Sequence, residues 1–100
     1  MDARDEVPVA IVTGASAGIG RAVAVAFARR GYRVALLARS PEGLDGAYRE
    51  AAYAGGEPFA LVADVAKPDD VFAAAEAVVA RWGRIDVWVN DAMETVVGPV

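Results

Sequence analysis

Between an apolar run and a helical pattern the chain reads Val12-Thr13-Gly14-Ala15-Ser16-Ala17-Gly18-Ile19-Gly20-Arg21-Ala22. Gly14 allows a tight turn after a strand. Without side chains at Gly18 and Gly20, the backbone can approach a ligand and a helix can pack close to the strand before it. The amides that open a helix lack intrahelical partners and attract phosphate. The chemistry implied is a pyrophosphate held by main chain, and the plain alternative is a glycine-rich connection with no ligand. The spacing is G-x-x-x-G-x-G rather than G-x-G-x-x-G, and the absence of Gly-Lys-Ser/Thr excludes a P-loop.

The elements around this stretch decide between those readings. Val7–Val12 is a short apolar run ended by glycine, the profile of a strand buried on both faces. From Gly18 to Arg30, Ile19, Val23, Ala26 and Phe27 recur at helical spacing and predict the buried stripe, with Arg21, Arg29 and Arg30 outward. Gly31 stops this helix and Arg33–Ala38 gives a second strand. Ser40-Pro41-Glu42 starts a second helix, to about Ala54, which Gly43 and Gly46 weaken by about 1 kcal/mol each relative to alanine. Pro58–Val65 is a third strand. A third helix opens at Pro68 with Lys67 as a poor N-cap and a stripe of Val71, Ala75, Val78 and Trp82. Gly83 ends it, and Ile85–Asn90 is a fourth strand. The order is βαβαβαβ, which predicts an α/β fold with a doubly wound parallel sheet. In such a sheet ligands bind at the carboxyl ends of the strands, where the glycines lie.

Composition narrows the classes. The chain has 100 residues, enough for one small domain, and 56% apolar residues argue for a globular one. A net charge of −4 with scattered arginines offers no field for nucleic acid. There is no cysteine and no histidine, so the usual metal ligands and the commonest general base are missing, and no metal site is expected. Met1–Glu6 is charged, and no apolar run approaches the roughly 20 residues of a membrane span. The expectation is a cytoplasmic protein with neither nucleic-acid nor membrane partners.

Thr13-Gly14-Ala15-Ser16-Ala17-Gly18-Ile19-Gly20 resembles the T-G-x-x-x-G-x-G of the short-chain dehydrogenase/reductase family. Asp64-Val65, at the end of the third strand, stands where that family places an acid against adenine. Gly83-Arg84-Ile85-Asp86 leading to Val89-Asn90-Asp91-Ala92 is similar to its G-R-I-D-x-x-V-N-N-A-G stretch. The resemblance implies a Rossmann-type sheet in the order 3-2-1-4, incomplete at four strands. Residues 1–100 would then be the N-terminal dinucleotide-binding half of one domain.

By the same resemblance the backbone of Ser16 and Ile19 contacts phosphate or ribose, and Asp64 accepts from the adenine amino group with Val65 beside it. Asn90 and Ala92 border the ribose nearer the nicotinamide. Two plainer roles stand beside these: Asp64 as a solvated strand-end carboxylate, and Asn90 as a tie between strands. After the second strand, an acid would bind a ribose 2′-hydroxyl and an arginine would accommodate a 2′-phosphate. Ala38 stands in the acid's place, and Arg39 and Ser40 follow. These residues point to NADP rather than NAD, unless Arg39 is only a surface arginine and Ser40 only a helix cap.

The resemblance implies hydride transfer between nicotinamide and a small-molecule alcohol or carbonyl substrate. The family's catalytic serine, tyrosine and lysine lie in the second half of its domain. No tyrosine here has a lysine four residues on: Leu36 follows Tyr32, Ala52 follows Tyr48 and Glu57 follows Tyr53. No catalytic residue is assigned, and the 100 residues alone are expected to be inactive. The alternative is a non-catalytic nucleotide-binding module or an inactive truncated product. A methyltransferase fits poorly, because Arg39 stands where an acid would bind ribose hydroxyls. Substrate choice and the family's dimer helices lie beyond residue 100, so a homo-oligomer is an expectation only for a full-length enzyme. Asp91 and Met93 depart from the motif, where the family has asparagine and glycine.

Overall fold

In the computed structural model, which describes residues 6–91, β1 (Val9–Thr13) and β2 (Arg33–Ala38) are buried at every residue. They form the centre of a four-stranded sheet in the order β3-β2-β1-β4, with β3 at Glu57–Val62 and β4 at Val87–Val89. Every pairing is parallel: Val12 lies opposite Leu36 in β2 and Val89 in β4. Both faces of the central strands therefore need apolar cover, which is why Val9–Val12 and Val34–Ala38 read as unbroken hydrophobic runs, with Thr13 and Arg33 at the strand ends.

Alternate residues supply the two cores. Val34 and Leu36 face α1 (Gly18–Arg29) and α2 (Pro41–Tyr53), meeting Ala24, Ala28, Leu44, Ala47 and Ala51. Ala35 and Leu37 face α3 (Pro68–Trp82), meeting Ala74 and Val78. The helices thus cover the sheet on both sides, as the doubly wound arrangement requires. Among the described residues, no helix is long and apolar enough to cross a membrane.

Local details differ from the sequence expectations. The buried side of α1 is Gly20, Ala24, Val25 and Ala28, whereas Ile19 is 73% exposed and Ala26 is also outside. Small side chains face inward because α1 lies close to its neighbours: a Cβ on Gly56 would stand 2.6 Å from the Ala28 Cβ. On α3 the fully buried residues are Ala74 and Val78, with Val71, Ala75 and Trp82 at the margin. β3 stops at Val62, since the backbone of Asp64–Lys67 turns there: the Lys67 N–H donates to the Asp64 carbonyl at 2.9 Å. Lys67 makes no side-chain cap. Instead Asp70, in the first turn of α3, accepts the Asp64 N–H at 2.8 Å and fastens the helix start to the strand end.

Candidate functional site

The carboxyl ends of β1, β2 and β3 open on one cavity of about 640 Å³. Gly14 and Ser16 line it from the loop after β1, Arg39 and Ser40 from the end of β2, and Asp64 and Val65 from the end of β3. Two backbone hydrogen bonds and the Thr13 hydroxyl fix these ends. The Ala15 N–H donates to the Leu37 carbonyl at 3.1 Å, and the Ala63 N–H donates to the Ala38 carbonyl at 2.9 Å. On the far side Thr13, 1% exposed, accepts from the Asp91 N–H at 2.8 Å, and its hydroxyl donates to Asn90 Oδ1 at 2.9 Å.

The three glycines have separate tasks. Gly14 has φ +62°, and a Cβ there would lie 2.7 Å from the Asp91 carbonyl oxygen. Gly18 has φ +62° as well, but nothing lies within 4 Å of its missing Cβ, so it leaves open space at the start of α1. Gly20 has an ordinary helical backbone. A Cβ on it would stand 2.2 Å from the Gly14 carbonyl oxygen, so its bareness serves loop-to-helix packing. The N-terminus of α1 begins at Ala17 with no side-chain cap and no acid in its first turn. Its leading amides are the kind of donors that hold an anion.

The predicted residues divide into two groups. Gly14, Ser16, Arg39, Ser40, Asp64 and Val65 line the cavity together. Gly18, Ile19 and Gly20 sit at or behind the α1 start and do not line it, and Asn90 is engaged with Thr13. The tie between strands is the role the Asn90 side chain has in this structure. Ala92 and Met93 lie outside the described residues.

Side-chain chemistry sharpens the picture. The Arg39 guanidinium is exposed and makes no hydrogen bond or ion pair among the described residues. The Ser40 hydroxyl caps α2, accepting from the Gly43 N–H at 3.1 Å, and donates to Glu42 at 3.4 Å. Asp64 Oδ1 accepts from the Ala66 N–H at 2.9 Å, which closes the turn after β3 and leaves the second oxygen without a partner among the described residues. The groups with displaced pKa values lie elsewhere. A hydrogen bond from Arg84 and one from the Val9 N–H hold Asp86 below the usual carboxylate value, at the amino end of the sheet.

Two contributors were given no site role by sequence reasoning. Asp91, which the sequence marked only as a departure from the family's motif, also lines the cavity, two residues beyond β4. Arg21 braces the loop from outside: its Nε donates to Glu50 at 2.7 Å, and its Nη1 reaches the Ser16 carbonyl at 3.4 Å. Gly46 of α2 makes room for that guanidinium, with a Cβ position 3.0 Å from Nη2. Gly43 does the same for Ser16.

A sequence profile described as short chain dehydrogenase matches residues 8–100. The chain belongs to the short-chain dehydrogenase family. It is 44% identical over 84 residues to the 3-oxoacyl-(acyl-carrier-protein) reductase FabG of Staphylococcus epidermidis, a match covering 83% of this chain and 34% of that protein. Among solved structures it is similar to a variant of actinorhodin polyketide ketoreductase with NADPH, at a TM-score of 0.84 and 40% identity, over 88% of this chain and 34% of that one. It is also similar to NAD+-bound xylitol dehydrogenase, at a TM-score of 0.78 and 34% identity, over 81% and 31%. The chain spans about a third of the length of these short-chain dehydrogenases.

Proposed function

We propose that the chain is the cofactor-binding half of an NADP-dependent oxidoreductase that moves a hydride between nicotinamide and a small alcohol or carbonyl substrate. The observation that carries this reading is the Arg39 guanidinium, free of partners among the described residues, at the end of β2 on a cavity shared with the glycine loop. Ala38 beside it brings no carboxylate to repel a 2′-phosphate. The cofactor, when bound, supplies the hydride chemistry. This chain's residues supply its seat: main chain from Gly14 to Gly20 for the phosphates, Arg39 and Ser40 for the 2′-phosphate, and Asp64 with Val65 for adenine.

Among the relatives, one structure carries NADPH and another NAD+, so the family admits both nucleotides and the side chains after β2 decide. On its own the chain turns over no substrate in this reading. Tyr32 packs edge-on against Phe27 at 4.8 Å, and Tyr48 and Tyr53 face outward on α2. None of them lines the cavity.

The test is a titration of NADPH and NADH by ligand fluorescence on the wild-type chain and on Arg39→Glu. A charge-assisted hydrogen bond of about 1.5–3 kcal/mol predicts that the variant binds NADPH about 10- to 150-fold more weakly and leaves NADH unchanged. Equal loss for both nucleotides would overturn the 2′-phosphate assignment. No binding of either by the folded wild type would overturn the nucleotide reading itself.

A further inference from the structure

Asp91 is the residue the proposed cofactor seat does not account for. It lines the cavity beside Gly14 and Ser16, half-buried. Its Oδ2 lies 2.9 Å from where a Gly20 Cβ would be and 3.6 Å from the corresponding point on Gly14. The carboxylate therefore stands against the first turn of α1. That helix has no acid of its own there and no capping side chain. The carboxylate makes no hydrogen bond or ion pair among the described residues; only its backbone N–H is engaged, by Thr13. The positive end of a helix already holds a fixed negative charge.

A phosphate that settles on the same amides shares that field with Asp91. Like charges a few ångströms apart repel, and the repulsion is stronger in a half-buried cleft than in bulk water. At the other end of the cavity stands Arg39, whose charge acts on a different part of a dinucleotide. Among the described residues the cavity thus carries one cation, Arg39, and two carboxylates, Asp64 after β3 and Asp91 against the glycine loop.

We propose, building on the nucleotide reading above, that Asp91 limits the affinity of this site for any ligand carrying a pyrophosphate, while Arg39, with Ser40, sets the choice between NADP and NAD. Because both dinucleotides have the same pyrophosphate, Asp91 and Arg39 act independently. Removing the Asp91 charge tightens NADPH and NADH by the same factor and leaves their ratio untouched. Adenosine, which has no phosphate, does not respond.

The experiment is a set of equilibrium titrations of the full chain with NADPH, NADH, ADP and adenosine. The proteins compared are the wild type, Asp91→Asn and Asp91→Ala. The alanine variant removes the charge without adding an amide donor that could itself bind phosphate. Both variants are expected to bind NADPH, NADH and ADP about three- to tenfold more tightly in low salt, with the gain shrinking as ionic strength rises. Adenosine affinity is expected to stay constant.

Unchanged or weakened binding of the phosphorylated ligands in both variants would overturn the proposal and leave the nucleotide reading in place. So would an equal change for adenosine, since the carboxylate would then be shaping the loop rather than repelling phosphate. Absence of all nucleotide binding in folded wild type and variants alike would overturn both.

Discussion

Alanine at Gly20 and alanine at Gly18 should have opposite signatures, although the two glycines lie only two residues apart at the start of α1. At Gly20 the new Cβ would stand 2.2 Å from the Gly14 carbonyl oxygen and 2.7 Å from its carbon. An ordinary carbon–oxygen approach is about 3.3 Å or more, so loop and helix must separate by roughly 1 Å. Both sides of the clash are tied down: Ala15 is bonded to β2, and α1 is packed on the sheet. Overpacking of this kind costs about 1–3 kcal/mol, and main chain yields less readily than a side chain, so the upper end applies. The better helix propensity of alanine offsets about 1 kcal/mol, leaving a net loss of about 2 kcal/mol. For a domain of this size that lowers the melting temperature by roughly 10 °C. At Gly18 nothing lies within 4 Å, and the penalty is the left-handed backbone alone, about 1 kcal/mol. There the added methyl projects into open space at the α1 start, where a ligand would come close. Urea unfolding followed by circular dichroism gives the stabilities, and NADPH titration gives the affinities. Gly20→Ala should be the less stable variant, and Gly18→Ala should lose more affinity than stability. If Gly20→Ala unfolds at the same urea concentration as wild type, or later than Gly18→Ala, the packing account of this glycine is wrong.

Two further outcomes follow from hydrogen bonds that join distant parts of the chain. Thr13→Val keeps the shape of a buried residue but removes the acceptor for the Asp91 N–H and the donor to Asn90. It should cost about 1–3 kcal/mol in chemical denaturation, whereas Thr13→Ser should recover most of that; equal stability of valine and serine would show the hydroxyl to be idle. Asp86, held below its usual value of 3.8 first by the Arg84 hydrogen bond and then by the Val9 N–H, contributes stability that is present above 3.8 and lost as pH falls through its lower folded value. The gap in urea midpoint between wild type and Asp86→Asn should therefore be widest near neutrality and close progressively below pH 3.8; a gap independent of pH would count against the linkage.

The strands were legible in the sequence because β1 and β2 are covered on both faces, so their apolar runs are unbroken and end at Thr13 and Arg39. Helix boundaries were legible from Pro41, Pro68 and Gly83, whose backbone constraints act locally. The buried face of α1 was not. Alanine occupies positions 22, 24, 26 and 28, and a helix this rich in small residues has no strong apolar side. Close packing chose Ala24 and Ala28, and left Ile19 outside at the mouth of the loop. Gly43 and Gly46 read as weaknesses of α2 in isolation. In the fold they let α2 approach Ser16 and Arg21, a reason that exists only once the second helix lies beside the first.

The candidate site follows the same division between what is local and what is not. Its glycine loop is marked by three glycines within seven residues, of which Gly14 lines the cavity, so the loop could be placed from sequence before any contact was known. Its charges come from three separate strand ends, Arg39, Asp64 and Asp91, and their meaning depends on which of them face one another. Asp64 illustrates the point: one oxygen is committed to the turn through Ala66, so only the other is open to a further partner. Asp91 illustrates it more sharply, because a carboxylate beside helix-start amides stabilises the empty loop and opposes an incoming phosphate through the same field. A single charge at such a position changes binding without changing the fold. On the proposal above, the side chain two residues beyond β4 tunes the affinity of this chain's site while the backbone of the glycine loop stays as it is.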